Sequence, residues 1–564
     1  MIRRRPSPSP EALSALPDTL HPLVRRLYAA RGVASDAESA LSLSTLAPPT
    51  LRGLDRAVDL LRDALRQGHR VVVAGDYDCD GATGVAVALR GLRLLGGTAL
   101  DFVVPDRFRM GYGLSPALVD AAAAQGAQLI LTVDSGIASV SGVAHANALG
   151  IPVVITDHHL PGAQLPAAAA IVNPNQPGCS FPSPHLAGVG VMFYLLAALR
   201  ARLRDDGVTV PSLSPLLDLV AVGTVADVVK LDANNRILVA AGLRRMRAGN
   251  LQPGLAALLA VSGREPGHLT AQDLGFVVGP RLNAAGRLQD IRTGIECLLT
   301  DDPDHARVLA QALDQINRER RSLEADMHDQ ALEISADSRA TGLCLFHPDW
   351  HEGIVGLVAS RLKDRHHRPV IAAARAQAPG MLKASGHTIP GLHLRDALAE
   401  VDARHPGLIE RFGGHAMAAG LSLPEAHWAD FCVAFDRVCA AHLDDDCLQR
   451  VIDSDGPLPA PWLALEAALA LEAAGPWGQG FPEPQFDDRF TVAAAHLMGS
   501  AQQHVRYTLS HAEGATVQAV HFGAGEQALA VGQQGHFVYR LGVNRWQQRV
   551  NVQLIVVHAD PGQG

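Results

Sequence analysis

The sequence is poor in several features that would narrow its function early. Its seven cysteines (Cys79, Cys179, Cys297, Cys344, Cys432, Cys439 and Cys447) include no CxxC pair. That argues against a zinc ribbon or a disulfide framework and fits a reducing compartment. Aromatic residues are only 4% of the chain, while glycine is abundant at 53 residues, a balance that suits tightly packed α/β layers. Positive charge is not in excess: 48 Lys+Arg stand against 57 Asp+Glu, a net −9. A generally basic nucleic-acid-binding coat is therefore excluded, although a local basic groove is not. A membrane-spanning run is lacking as well. The 22 uncharged residues between Asp134 and Asp157 contain His145, Asn147, Gly150 and Pro152, and they divide into helix, turn and strand. The basic start MIRRRPSPSP leads into no apolar stretch. The expectation is a cytoplasmic protein without a secretory signal or membrane contact.

What is present is ordinary globular material, 48% hydrophobic and 19% charged over 564 residues. At ~100–200 residues per domain this makes roughly three to five domains. No repeat of fixed period occurs. Residues 1–50 are punctuated by Pro and Ser and read as a loosely structured lead-in. From about residue 70, apolar runs (70–75, 99–105, 127–133, 151–156) alternate with helical stretches near 82–95, 115–125 and 138–149. Continuous Val/Ile/Leu runs separated by helices predict a parallel sheet buried on both faces. Asp302-Pro303 is a helix start, and the charged, glycine-free 303–335 segment predicts a long connecting helix. A second, smaller α/β unit is expected near 341–447, with strands near 342–346 and 369–374. Short alternating strands with Gly turns from about 478 predict a small β-barrel. The expected division is 1–50, 51–302, 303–340, 341–447 and 448–564.

Three acidic clusters share one address. Asp76, Asp78 and Asp80 follow VVVAG, Asp134 follows LILTV, and Asp157 with His158 and His159 follows VVIT. Each lies just past the carboxyl end of a predicted parallel strand, the edge where open α/β sheets bind ligands. A fourth acid, Asp227, ends the uncharged stretch that starts after Asp218. Carboxylates gathered this closely repel unless cations neutralise them. Oxygen donors with one or two imidazoles suit a pair of divalent ions, Mn2+ or Mg2+. Two such ions ~3.5–4 Å apart are a common device for phosphoester hydrolysis.

The segments DYDCDG, TVDSG, TDHH and GTVADVV resemble the four motifs of the DHH phosphoesterase superfamily. GFVVGPRLNAAGRL (275–288), WHEGIVGLVASRL (350–362), FGGHAMAAG (412–420), GQGFPEPQF (478–486) and VNRWQQRVNVQL (543–554) narrow the resemblance to the RecJ family. It covers about residues 70–555. The resemblance implies a multidomain α/β protein: a parallel-sheet DHH domain, a connecting helix, a DHH-associated domain and an oligonucleotide-binding (OB) barrel. It implies a single-strand-specific 5′→3′ exonuclease in recombination and repair, working beside single-strand-binding protein and a helicase, and a monomer. The roles it carries over make Asp134 the bridge between two metals. Asp78 holds the first ion with Asp76 nearby, and Asp80, His158 and Asp227 hold the second. His159 then faces the scissile phosphate, and Cys79 is a small filler.

Other segments are read as substrate contacts. Arg281, Asn283 and Arg287 surround Ala284, Ala285 and Gly286, small residues expected to let a phosphodiester approach closely. The family resemblance makes this a clamp on the 5′ end through Arg–phosphate contact. Arg281 is the expected stop, with Arg109 as helper and Arg107 also on the ligand edge. Gly413 and Gly414 are expected to offer backbone N–H groups, and His415 a donor or stacking ring. Ser385 lies in KASGHTI, where Ala384 and His387 replace the glycine and arginine usual in the family, so grip there is expected to be weaker or to depend on pH. In the barrel, Phe522, Phe537, Tyr539 and Trp546 with Arg540, Arg545 and Arg549 are candidates for stacking and phosphate contact. The competing functions are a DHH phosphodiesterase on short oligonucleotides or cyclic dinucleotides, and a non-catalytic DNA-binding scaffold.

Overall fold

The computed structural model describes residues 1–106, 110, 113–336 and 338–561. The four apolar runs become the strands Val71–Ala74, Leu100–Val103, Leu129–Thr132 and Val153–Thr156, joined at the edge by Ala170–Val172. All pair in parallel. The order places Leu100–Val103 outermost, then Val71–Ala74, Leu129–Thr132, Val153–Thr156 and Ala170–Val172. Val71–Ala74, Leu129–Thr132 and Val153–Thr156 are buried throughout, as helices on both faces require. The chain reverses direction of growth between Val71–Ala74 and Leu129–Thr132, and a crevice opens at that switch point. Asp76 and Asp134 emerge on either side of it.

The connecting helix runs Pro303–Ser335, with Asp302 accepting from the Asp304 N–H at its start. Beyond it lies a mixed five-stranded sheet ordered Arg411–Gly414, Ala418–Pro424, Met381–His387, Val370–Arg375, Leu343–Phe346. The C-terminal strands close into a barrel of Phe486–Met498, His504–His511, Thr516–His521, Arg549–Pro561 and Gln534–Trp546. Phe486, Phe490, Tyr507, Phe537 and Tyr539 fill its interior. Of the barrel aromatics expected to stack on nucleic acid, Phe537 and Tyr539 are therefore core, whereas Phe522 and Trp546 are exposed. Arg540 and Arg545 are ion-paired to Glu483 and Glu472.

The first 50 residues are not a loose lead-in. Ile2–Arg4 pairs in parallel with Ile452–Ser454, and Arg4 binds the buried Asp487 of the barrel at 2.7 Å. Arg31 and Asp455 form a buried pair at 2.8 Å, and the Tyr28 hydroxyl donates to the Ala474 carbonyl at 2.6 Å. Leu23, Leu27 and Tyr28 join the main core. Pro and Ser here begin short helices rather than loosen the chain: Ser9 and Ser35 cap the helices Pro10–Ser14 and Asp36–Ser39. Among the described residues no helix is long and apolar enough to cross a membrane.

Candidate active site

The metal-binding loop is built by the turn from Val71–Ala74 into the helix Cys79–Leu94. Asp78 is the N-cap of that helix, its Oδ1 accepting the Gly81 N–H at 3.0 Å. Asp80 therefore lies in the first helical turn. Both of its oxygens accept backbone N–H groups from the start of the helix Gly188–Asp205, Oδ2 from Gly188 at 2.6 Å and Oδ1 from Val189 at 2.9 Å. A carboxylate at a helix N-terminus is favoured by the dipole and the orphan donors. A Cβ on Gly188 would come within 2.6 Å of the Asp134 Cβ, so the helix approaches this closely only as glycine.

Asp134 follows Leu129–Thr132 in a left-handed conformation, φ 59°. Val228, next to Asp227, has φ 62°. For a β-branched residue that is a strained position, of the kind held at functional sites by the surrounding structure. Asp227 does not arrive from a strand end: it is the C-cap of the helix Leu217–Ala226.

Three triads of ligand atoms result, each within 4.8 Å: Asp76, Asp78 and Asp134; Asp80, His158 and Asp227; Asp134, His158 and His159. His158 Nε2 lies 3.0 Å from Asp134 Oδ1, 3.5 Å from Asp227 Oδ2 and 3.9 Å from Asp80 Oδ2. His158 Nε2 and Asp227 Oδ2 are buried and make no hydrogen bond. Burial, and then the charge of Asp227, push the Asp80 carboxyl up to about 7. Burial and then Asp78 do the same to Asp227, also to about 7. Burial followed by the neighbouring carboxylates drives Asp134 well above the usual range. Burial and His159 hold His158 below its ordinary value, as the neutral imidazole a metal needs. Acids that cannot all ionise together, around buried atoms that bond to nothing, form a donor set suited to hard cations.

Asp157 plays a different part. Its Oδ1 accepts the His158 and His159 N–H groups and lies 2.8 Å from His159 Nδ1, while Oδ2 accepts the Ile137 N–H at 2.9 Å. Against the burial that would lower it, this carboxylate raises the His159 imidazole to about 9. Across the groove the His415 ring faces that of His159, with centroids 6.3 Å apart and planes 20° apart. The GGH turn thus comes opposite the DHH histidines. Gly414 sits at φ 144°, where a Cβ would fall 2.5 Å from the Ala418 carbonyl oxygen. Its need for glycine is the hairpin's close approach.

The arginine segment departs from expectation. Ala284, Ala285 and Gly286 are buried, and of the three Ala284 alone lines a hollow beside Arg281 and Arg287. A Cβ on Gly286 would meet the Tyr77 carbonyl oxygen at 1.8 Å, so it is the metal-binding loop, not a phosphodiester, that approaches closely. Asn283 Oδ1 accepts the Cys79 N–H at 2.7 Å. Arg281 is not a bare positive stop: it binds Asp314 at 2.9 Å and the Val277 carbonyl at 2.6 Å. Arg287 donates to the Gly353 carbonyl at 3.3 Å. Cys79 is buried, as a filler would be. Ser385 and His387 lie on Met381–His387, and burial, then Lys363, lower the His387 imidazole. Arg107 and Arg109 lie outside the described residues. The sequence reading missed the Gly188–Val189 cap on Asp80, for which the small-residue run AGVGV was the available signal.

Carboxylates at a switch-point crevice facing a GGH hairpin are the arrangement of a DHH phosphoesterase. Residues 70–224 match the DHH family, N-terminal domain; residues 339–441 the DHHA1 domain; residues 454–558 the RecJ OB domain. The chain belongs to the RecJ family. It is 52% identical over 518 residues to the single-stranded-DNA-specific exonuclease RecJ of Salmonella typhimurium, covering 90% of this chain and 89% of that one. Identity to the RecJ of Escherichia coli is 49%, over 96% of each chain. Among solved structures, RecJ of Thermus thermophilus in complex with Mn2+ superposes with a TM-score of 0.83 at 31% identity, covering 100% of this chain and 80% of that one. The Mg2+ complex gives 0.78 at 29% identity, covering 100% and 79%.

Proposed function

We propose that this chain is a metal-dependent exonuclease that degrades single-stranded DNA in the 5′→3′ direction and acts in recombination and repair. The observation that carries this reading is the adjacency of the two triads Asp76/Asp78/Asp134 and Asp80/His158/Asp227, within a chain matching RecJ proteins over nearly its whole length. Asp76, Asp78 and Asp134 would hold one divalent ion, Mn2+ or Mg2+, and Asp80, His158 and Asp227 a second. When bound they supply Lewis acidity and a nucleophilic hydroxide at neutral pH. His159 keeps its Nδ1 proton on Asp157 and serves as a donor to the phosphate. Arg281, Asn283, Arg287, Ser385, Gly414 and His415 line the path of the strand.

Intact ligand triads weigh against a non-catalytic scaffold, and the closed C-terminal barrel weighs against an enzyme for very short oligonucleotides. In our reading the protein is a cytoplasmic monomer fed by a helicase and single-strand-binding protein, with domains divided at about 50, 302, 340 and 447. The test is digestion of 5′- and 3′-labelled single strands with Mn2+, Mg2+ or EDTA. Release of the 5′ label first, only with metal, is expected. Metal-independent cleavage, or release of the 3′ label first, refutes the reading.

A further inference from the structure

Beside the metal-binding loop lies a hollow of about 360 Å3 walled by arginines from three parts of the chain. Arg281 and Arg287 come from the helix Gly279–Leu288, Arg320 and Arg321 from the connecting helix, and Arg361 from the helix Val355–His366. Asn283 shares the wall, and its bond to the Cys79 N–H sets the hollow one side chain away from the metal ligands.

Two buried carboxylates hold the guanidiniums in place. Asp314 binds Arg281 and Arg318; Glu324 binds both Arg320 and Arg361. Arg320, Arg321 and Arg361 crowd around the single charge of Glu324, which leaves positive charge in excess there, and the buried Nε of Arg320 has no hydrogen-bond partner. The arrangement is a preorganised receptor for an anion whose charge the protein itself does not supply. On the rim stands Phe276, 81% exposed, in the π-helical turn Leu274–Val278. The same ring borders a second groove that begins at Val228, next to Asp227, and continues to Trp477 and Arg540. An anion receptor with a bare aromatic face at its rim matches the repeating unit of a single strand, phosphate plus base.

We propose that this hollow is a second phosphate site, holding internal phosphodiesters of the strand while a base stacks on Phe276. It rests on the nuclease reading above and adds to it Arg320, Arg321, Arg361 and Phe276. The connecting helix is then part of the substrate-binding surface, and a bound strand ties the two lobes together.

Binding is measured with the full-length protein in EDTA, by fluorescence anisotropy of a 3′-labelled oligodeoxynucleotide carrying a 5′-phosphate or a 5′-hydroxyl, across a salt series. Arg321→Ala with Arg361→Ala should weaken binding about tenfold, the lower end for charge-assisted contacts. It should also flatten the log K against log salt slope by about 0.7 for each phosphate no longer neutralised. The single change Arg321→Ala, at an exposed position, should show part of the same slope change. Phe276→Ala should weaken binding with the slope unaltered. Arg307→Ala, on the same helix but paired with Asp304, should bind as wild type. Both losses should be equal for the two 5′ ends. Wild-type affinity and slope in the double variant overturn the proposal, as does a loss confined to 5′-phosphorylated strands, which would make the hollow an end-recognition site. A wild-type protein that neither binds nor degrades single strands overturns the nuclease reading itself.

Discussion

Replacing Gly286 by alanine separates two accounts of the PRLNAAGRL segment. The new Cβ would lie 1.8 Å from the Tyr77 carbonyl oxygen and 3.0 Å from its carbon. To restore even a 3.0 Å contact with that oxygen, the helix Gly279–Leu288 and the loop must part by 1.2 Å. Both partners are backbone, so no rotamer change relieves the clash. Tyr77 lies between Asp76 and Asp78, and the same helix holds the Cys79 N–H through Asn283; the displacement is therefore delivered to the metal ligands. Overpacking of this kind costs about 1–3 kcal/mol, too little to unfold a chain with so large a core. A misplacement of about 1 Å at reacting groups costs about 10²-fold in rate. We expect Gly286→Ala to keep its circular dichroism spectrum, bind Mn2+ more weakly by calorimetry, and cleave single-stranded DNA about a hundredfold more slowly. Gly267→Ala, where a Cβ meets nothing within 4 Å, is the control. If Gly286→Ala instead raises KM for DNA while Mn2+ binding and kcat stay at wild-type values, the glycine faces the strand and our reasoning is wrong.

Asp134→Ala should abolish cleavage with the fold retained, because Asp134 belongs to the triad with Asp76 and Asp78 and its Oδ1 lies 3.0 Å from His158 of the triad with Asp80 and Asp227; two-metal stoichiometry and activity in this variant would contradict its assignment. His159→Ala should retain metal but lose about 10²–10³ in kcat, the loss expected for one transition-state donor; loss of Mn2+ stoichiometry instead would mark His159 as a ligand. His387, held below its ordinary 6.5 by burial and Lys363, is neutral at pH 7.5 and gains charge only below pH 6.5. Wild-type DNA binding in EDTA should therefore tighten as pH falls through that range. His387→Arg should bind tighter at pH 7.5, by up to about tenfold, and lose the pH dependence; equal affinities at pH 7.5 would remove His387 from the strand's path.

The buried carboxylates near the site differ in whether the protein itself compensates their charge. The metal-binding acids lack a compensator within the protein, and Asp80 and Asp227 accordingly rise to about 7. Asp157 is matched by His159 and by three backbone N–H groups, and it stays below the usual carboxylate range despite its burial. Carboxylates of separate motifs thus take opposite roles, Asp80 and Asp227 to bind cations and Asp157 to hold a histidine, because their surroundings differ.

The sequence by itself determined the parallel sheet, the connecting helix and the acids of its switch point. Those features depend on near neighbours along the chain: uninterrupted Val/Ile/Leu runs for strands buried on both faces, Asp-Pro for a helix start, and acids placed just beyond strand ends. It also placed His158 and His159 in one motif, and the GGH turn as a distinct one. Only the tertiary structure decided what each side chain faces. Asp80 is held by N–H groups 108 and 109 residues away, and Cys79 is tied to Asn283 across 204. Asp227 reaches the metals from a helix end, Arg281 is claimed by Asp314, and the lead-in is fastened to the barrel by Arg4 and Asp487. Periodicity reports whether a residue is buried or exposed, whereas charge pairing and close backbone approach depend on partners brought together by packing, which no local pattern records.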